Sequence, residues 1–140
     1  MFVDTNVLVN ARVPGAPDHD AARASLDRAF RDPEPLRISR QIMREYLAVV
    51  TRPQTWPVAI TREEALDDVS RLTGSFEILE DGPLVTELLL ALCWEVPAGG
   101  RQIHDANIVA TMLARGEQRL LTFNAADFRR YGDRIELVDI

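Results

Sequence analysis

The sequence predicts an α/β fold: an α/β/α sandwich whose central sheet is mainly parallel and flanked by helices. Two observations carry this prediction. Short apolar runs, FVD, LRI, FEIL, RLLTF and RIELVDI, recur along the chain, and segments of helical periodicity separate them. The helical segments have start and stop signals of their own, in Ser, Thr, Pro and Gly. Alternation of this kind builds crossover connections, which join parallel strands. With 140 residues and no repeat, low-complexity tract or dividing linker, the chain 1–140 reads as one domain. A chain of this length buries roughly two thirds of its unfolded surface, so it needs no disulfide or metal staple.

The elements follow in order. FVD is a short buried strand, and VLVNAR continues into a helix that Val13-Pro14-Gly15-Ala16-Pro17 ends. A second helix runs from Asp18 to Arg31, with Ala22, Leu26, Ala29 and Phe30 on one face, and stops at Pro33-Glu34-Pro35. After the strand Leu36-Arg37-Ile38, Ser39 caps the helix RQIMREYLAVVTR. Thr61 and Glu64 form a capping box for TREEALDDVSRLTG, with Gly74 as its stop. FEIL is the third strand. PLVTELLLALCWEV is a helix with proline in its first turn and apolar residues almost all round, as expected of a central helix or one at a subunit interface. IHDANIVATMLARG is a helix with a glycine stop, RLLTF a buried strand, AADFRRYG a short helix and RIELVDI the last strand.

Composition removes several kinds of chemistry. A net charge of -6 argues against a general phosphate-coating nucleic-acid binder, though not against a nuclease whose acids hold cations. All sixteen basic residues are arginine, so Schiff-base and P-loop lysine chemistry are excluded. The single Cys93 reads as a small hydrophobe inside LLLALCWEV, consistent with a reduced, cytoplasmic protein. That run is too short to cross a bilayer, and no basic leader precedes an apolar stretch.

Acids stand in unusual places. Asp4 and the Phe123-Asn124 corner each follow an apolar strand directly, and open α/β sheets bind ligands outside the carboxyl ends of their strands. Each also reads as a helix cap: Asp4 for the helix behind it, Asn124 with Asp127 for the next. Glu45 projects from the edge of an apolar stripe, within one turn of Ile42 and Val49, where snorkelling or pairing with Arg44 or Arg52 would also serve it. Asp105 aligns with Ile108, Val109 and Met112 in a first helical turn, a position the helix dipole favours for any acid. Carboxylates gathered in one cleft repel by roughly 4 kcal/mol per pair at about 4 Å, and a divalent cation relieves this. All-oxygen ligands select Mg²⁺ or Mn²⁺ over zinc, and such clusters serve in-line displacement at phosphorus.

FVDTNVLV, the acid in REYLAVVTRP, IHDANIVATMLARG and LLTFNAADFRRY, in that order, resemble the PIN-domain ribonucleases, specifically the VapC-type toxins of bacterial toxin-antitoxin modules. The resemblance runs nearly the whole chain. It implies a twisted, mainly parallel sheet and catalytic, metal-holding roles for Asp4, Glu45, Asp105 and Asp127. It lets Thr5 or Asn6 orient Asp4, with Thr122 and Asn124 supporting the last corner. It also implies Mg²⁺ or Mn²⁺, an RNA substrate, a cognate antitoxin whose basic side chain enters the acidic cleft, and a homodimer. Many relatives have aspartate where this chain has Asn124, which removes a carboxylate near a second metal position.

Other residues carry less. His104, beside Asp105, is expected to contact substrate or bond at the helix start, not to act as base, and His19 is expected to be solvated. Trp56 and Trp94 suit core or dimer packing better than base stacking. Arg129 and Arg130 follow Asp127 and are candidates for phosphate contact, against the alternative of a solvated basic face. A receiver-like phosphoacceptor domain shares the acidic strand end, but it relies on a lysine that this chain lacks. A non-catalytic PIN-like module is the other alternative.

Overall fold

The computed structural model describes residues 1–53 and 55–140. The strands β1 (Phe2–Val3), β2 (Arg37–Ser39), β3 (Glu77–Leu79), β4 (Arg119–Leu121) and β5 (Glu136–Val138) form one sheet in the order β3-β2-β1-β4-β5. Every pairing among them is parallel. Phe2, Val3 and Leu120 have no exposed surface, as the middle of a sheet covered on both faces requires.

The connections carry α1 (Thr5–Arg12), α2 (His19–Ala29), α3 (Arg40–Thr51), α4 (Arg62–Ser75), α5 (Pro83–Glu95), α6 (Gln102–Ala114) and α7 (Ala125–Phe128), which runs on into a 3₁₀ turn, Arg129–Arg134. From β1 the chain steps outward through β2 to β3, then returns past β1 to β4. Because crossovers are right-handed, the outward steps put α1 to α4 on one face and the return puts α5 and α6 on the other. The packing agrees: α1 lies against α2 and α3, α3 against α4, α5 against α6, and α6 against α7. The predicted sandwich is the observed one.

The Thr61 capping box is present, with the Thr61 hydroxyl accepting from the Glu64 amide at 3.2 Å and the Glu64 carboxylate from the Thr61 amide at 2.8 Å. Gly74 does not stop that helix. The helix runs on to Ser75 and closes at Phe76, whose amide still reaches the Leu72 carbonyl. Gly116, with φ 67°, does end α6 as expected.

Three apolar expectations change. Phe30 lies just past the last turn of α2 and is 51% exposed, edge-on to Phe76 at 5.5 Å between ring centroids. Of the two places expected for α5, central or at a subunit interface, the first does not hold: it packs mainly on α6, buries Val85 and Leu92 and leaves Leu84 and Leu90 outward. Trp94, at its end, is 88% exposed and so does no core packing, whereas Trp56 is half-buried against the core. Among the described residues no helix is long and apolar enough to cross a membrane.

Candidate active site

The strand order turns at β1, whose neighbours are β2 on one side and β4 on the other. The crevice at the carboxyl ends of β1 and β4 is thus the topological switch point, where sheets of this kind bind ligands. Asp4 follows β1, and Thr122 to Asn124 follow β4. Helix α3 follows the carboxyl end of β2 and carries Glu45 in its second turn, and α6 carries Asp105 in its first, so both acids come to this same edge.

Asp4 occupies the N-cap position of α1 but makes no side-chain cap bond. Its Oδ2 instead accepts from Asn6 Nδ2 at 2.7 Å and from Thr122 Oγ1 at 2.6 Å. Asn6 also donates to Thr122 Oγ1 at 3.1 Å and accepts from the Phe123 amide at 3.0 Å, and the Asn124 amide donates to Thr122 Oγ1 at 3.0 Å. These bonds tie the ends of the two strands together and aim one carboxylate. Burial pushes the Asp4 carboxyl up to about 6, against the pull of the Thr122 hydroxyl and Thr5 amide, and the charges of Glu45 and Asp105 push the same way.

Glu45 is held by neutral donors rather than by Arg44 or Arg52. Thr5 Oγ1 donates to its Oε2 at 3.0 Å and Gln41 Nε2 to its Oε1 at 2.7 Å, while His104 Nδ1 stands 3.8 Å away. Asp105 is half-buried. Burial raises its carboxyl first, then repulsion from Asp127 and Glu45, with Arg130 and His104 offsetting part of this. Asp127 is exposed at the start of α7, and its amide bonds the Asn124 carbonyl at 2.9 Å. Asn124 sits at the N-cap position there without a side-chain cap bond.

The fold therefore brings Asp4, Glu45 and Asp105 within reach of one another's charge, with Asp127 at the rim beside Asp105. As they stand they are not a closed ligand set: among the described residues no three His, Cys, Asp or Glu side chains are grouped closely enough to hold a metal. The donor chemistry nevertheless fits a hard divalent cation. It is all oxygen, it gathers at one end of the sheet, and Asp4 and Asp105 are raised first by burial and further by neighbouring acids, a repulsion that such an ion would relieve.

Arg130 is exposed but close enough to temper Asp105, and His104 has an exposed ring at the crevice mouth. His19 is not simply solvated; it is half-buried, with Nδ1 2.9 Å from the Asn10 carbonyl. Three residues beside the acids were not foreseen. Gln41 and Asn107 join each other across the site, and Asp81 follows β3 at the same edge. The available signal was a glutamine one turn before Glu45 inside an apolar stripe.

The sequence matches the model of the PIN domain over residues 1–134. The chain belongs to the PIN-domain family. This PIN domain is 28% identical over 132 residues to Ribonuclease VapC31 of Mycobacterium tuberculosis, covering 93% of this chain and 92% of that protein. Its fold is similar to that of VapC20 from Mycobacterium tuberculosis, a sarcin-ricin loop cleaving toxin, with a TM-score of 0.73 at 18% identity over 94% of each chain. It is also similar to a chain of a toxin-antitoxin complex from Klebsiella pneumoniae, with a TM-score of 0.66 at 21% identity over 99% of this chain and 95% of that one.

Proposed function

We propose that this PIN domain is a Mg²⁺- or Mn²⁺-dependent endoribonuclease acting as the toxin of a type II toxin-antitoxin module. The observation that carries the reading is the meeting of Asp4, Glu45 and Asp105 at the switch point of the sheet, with Asp127 at its rim. Similarity to Ribonuclease VapC31 along nearly the whole chain supports RNA as the substrate.

Asp4, Asp105, Glu45 and Asp127 are the residues that would hold the ion. Bound there, it supplies the positive charge that activates a water and steadies the leaving oxygen of a phosphodiester. Asn6 and Thr122 orient Asp4, and Thr5 orients Glu45. Arg130 and His104, both exposed beside Asp105, and Arg129 next to them in sequence would meet substrate phosphates. With Asn124 in place of an acid, a second ion beside Asp127 would be held more weakly than one held by Asp4 and Asp105.

The partners follow from the charge. An antitoxin segment carrying an arginine or lysine would silence the enzyme by entering the acidic crevice, and likeness to a chain of a toxin-antitoxin complex supports such a partner. The outward apolar side chains of α5 support a homodimer. The setting that suits this chemistry is the cytoplasm.

Calorimetric titration of Mn²⁺ into antitoxin-free protein tests the reading, with Asp105→Asn as the control. Binding that disappears in the folded variant, together with RNA cleavage lost in Asp4→Asn and Asp105→Asn, is expected. Cleavage retained in both variants overturns the site. Absence of binding and cleavage in folded wild-type protein favours the second reading, a non-catalytic PIN-like module, to which Asn124 gives some weight.

A further inference from the structure

We propose that Gln41 is a positioning residue of the acid site, whose single amide sets the separation of Glu45 from Asp105 by bridging α3 and α6. The proposal rests on the ribonuclease reading above.

Gln41 is 6% exposed, and both polar atoms of its side chain are engaged. Its Nε2 donates to Glu45 Oε1 at 2.7 Å and to the main-chain carbonyl of His104 at 3.0 Å, and its Oε1 accepts from Asn107 Nδ2 at 2.7 Å. A carboxylate and a carbonyl can only accept, so the amide nitrogen has to face Glu45 and His104. The oxygen then has to face Asn107. Asn107 Nδ2 is itself 3.4 Å from Asp81 Oδ2, another acceptor, so the polarity of the chain is fixed from both ends. A flipped Gln41 would aim an oxygen at two acceptors in a buried place and lose both hydrogen bonds.

The placement gives the bridge its function. Glu45 lies one helical turn after Gln41 on the same face, and His104 immediately precedes Asp105. One amide therefore grips the acid of α3 and the backbone next to the acid of α6. These helices cover opposite faces of the sheet, so the sheet's own hydrogen bonds leave their separation open. Thr5 fixes the second oxygen of Glu45 at 3.0 Å, which leaves that carboxylate little freedom.

The test compares wild type with Gln41→Leu for melting temperature, for Mn²⁺ affinity by calorimetry, and for kcat and KM on a cleavable RNA. The expected result is Mn²⁺ affinity weakened by roughly 10- to 100-fold in the folded variant, with kcat reduced and KM little changed. A purely structural role would lower the melting temperature and leave the affinity of the folded protein intact. A folded Gln41→Leu with wild-type affinity and kcat therefore overturns the proposal. Should that variant fail to fold, Gln41→Asn decides, because it keeps a buried amide but is one methylene too short to reach both Glu45 and the His104 carbonyl. Weakened Mn²⁺ binding in folded Gln41→Asn supports the bridge, and unchanged binding overturns it. Wild-type protein that neither binds Mn²⁺ nor cleaves RNA overturns the ribonuclease reading itself, and the proposal falls with it.

Discussion

Thr122 Oγ1 lies 2.6 Å from Asp4 Oδ2, joining two strand ends that are 118 positions apart in the chain. The hydroxyl gives its one proton to the carboxylate and accepts from Asn6 and the Asn124 amide. Even so, burial outweighs the help, and Asp4 stays near 6 rather than at its ordinary 3.8. A carboxyl raised in the folded state contributes stability that is complete below its unfolded value and lost as pH rises through the folded one. Keeping Asp4 ionised at neutral pH thus costs on the order of 3 kcal/mol in ion-free protein.

Asp4→Asn should therefore raise the melting temperature of chelator-treated protein above pH 6, while abolishing Mn²⁺ binding and cleavage. The stability gain should shrink as pH falls from about 6 toward 3.8. Urea denaturation across that range checks the sign. A variant less stable than wild type throughout would mean that the ionised carboxylate is not a burden.

Behind the site, Asp68 joins three helices. Its Oδ2 accepts from Tyr46 Oη at 2.7 Å and from Arg12 Nε at 2.8 Å, while the exposed Arg71 stands 3.9 Å from Oδ1. Asp68→Ala strands the buried Tyr46 hydroxyl and the partly exposed Arg12, so it should destabilise by about 2–4 kcal/mol. Tyr46→Phe removes one hydrogen bond and should cost about 1 kcal/mol, and Arg71→Ala should fall within about 0.5 kcal/mol of wild type. Denaturant midpoints in that rank order are expected, and equal losses for Arg71→Ala and Asp68→Ala would refute it.

Most of this architecture was legible in the sequence, because periodicity and caps are local. The capping box at Thr61 and the alternation of strands with helices depend on neighbours a few residues away, and both appear in the fold. The fate of α5 was not local. Its all-round apolar pattern fits a buried helix as well as one packed mainly on α6 with an open outer side, and only the layer order decides. Phe30 failed for a related reason: the helix ended one residue before it, and its face no longer mattered. The acids could be named from their places at strand ends and on apolar stripes. The bridge from Gln41 to Asn107 could not, since it spans 66 positions and joins side chains that each look like ordinary helix-surface polars.

Trp94, at 88% exposure, shares the outward side of α5 with Leu84 and Leu90. If α5 meets a second copy of the chain, Trp94→Ser with Leu90→Ser should turn a dimer into a monomer in analytical ultracentrifugation. Neither substitution removes a buried contact, so monomer stability should stay within about 0.5 kcal/mol per site. A dimer unchanged by both substitutions would place the interface elsewhere.

At the opposite edge of the sheet an acid behaves in the reverse way to Asp4. Glu117 is buried beside the start of β4, where Oε1 accepts from the Gln118 and Arg119 amides at 2.9 Å and Oε2 from Arg37 at 2.7 Å, with the Met1 amino group 3.0 Å away. Burial pushes its carboxyl up, but the Arg119 amide, Arg37 and the amino group together pull it below its ordinary 4.5. A carboxyl depressed in the folded state contributes stability above its unfolded value and loses it as pH falls through the folded one. Glu117→Gln should thus be less stable than wild type at neutral pH by about 3 kcal/mol, since Arg37 and the amino group lose a buried partner. The deficit should narrow as pH drops below 4.5, where wild type gives up the same charge. Urea midpoints at neutral and acidic pH measure it, and a deficit that widens on acidification would contradict the depressed value. Because this cluster lies at the far end of the strands from Asp4, Mn²⁺ affinity of the folded variant should be unchanged, which separates the fold's acid sensitivity from that of the site.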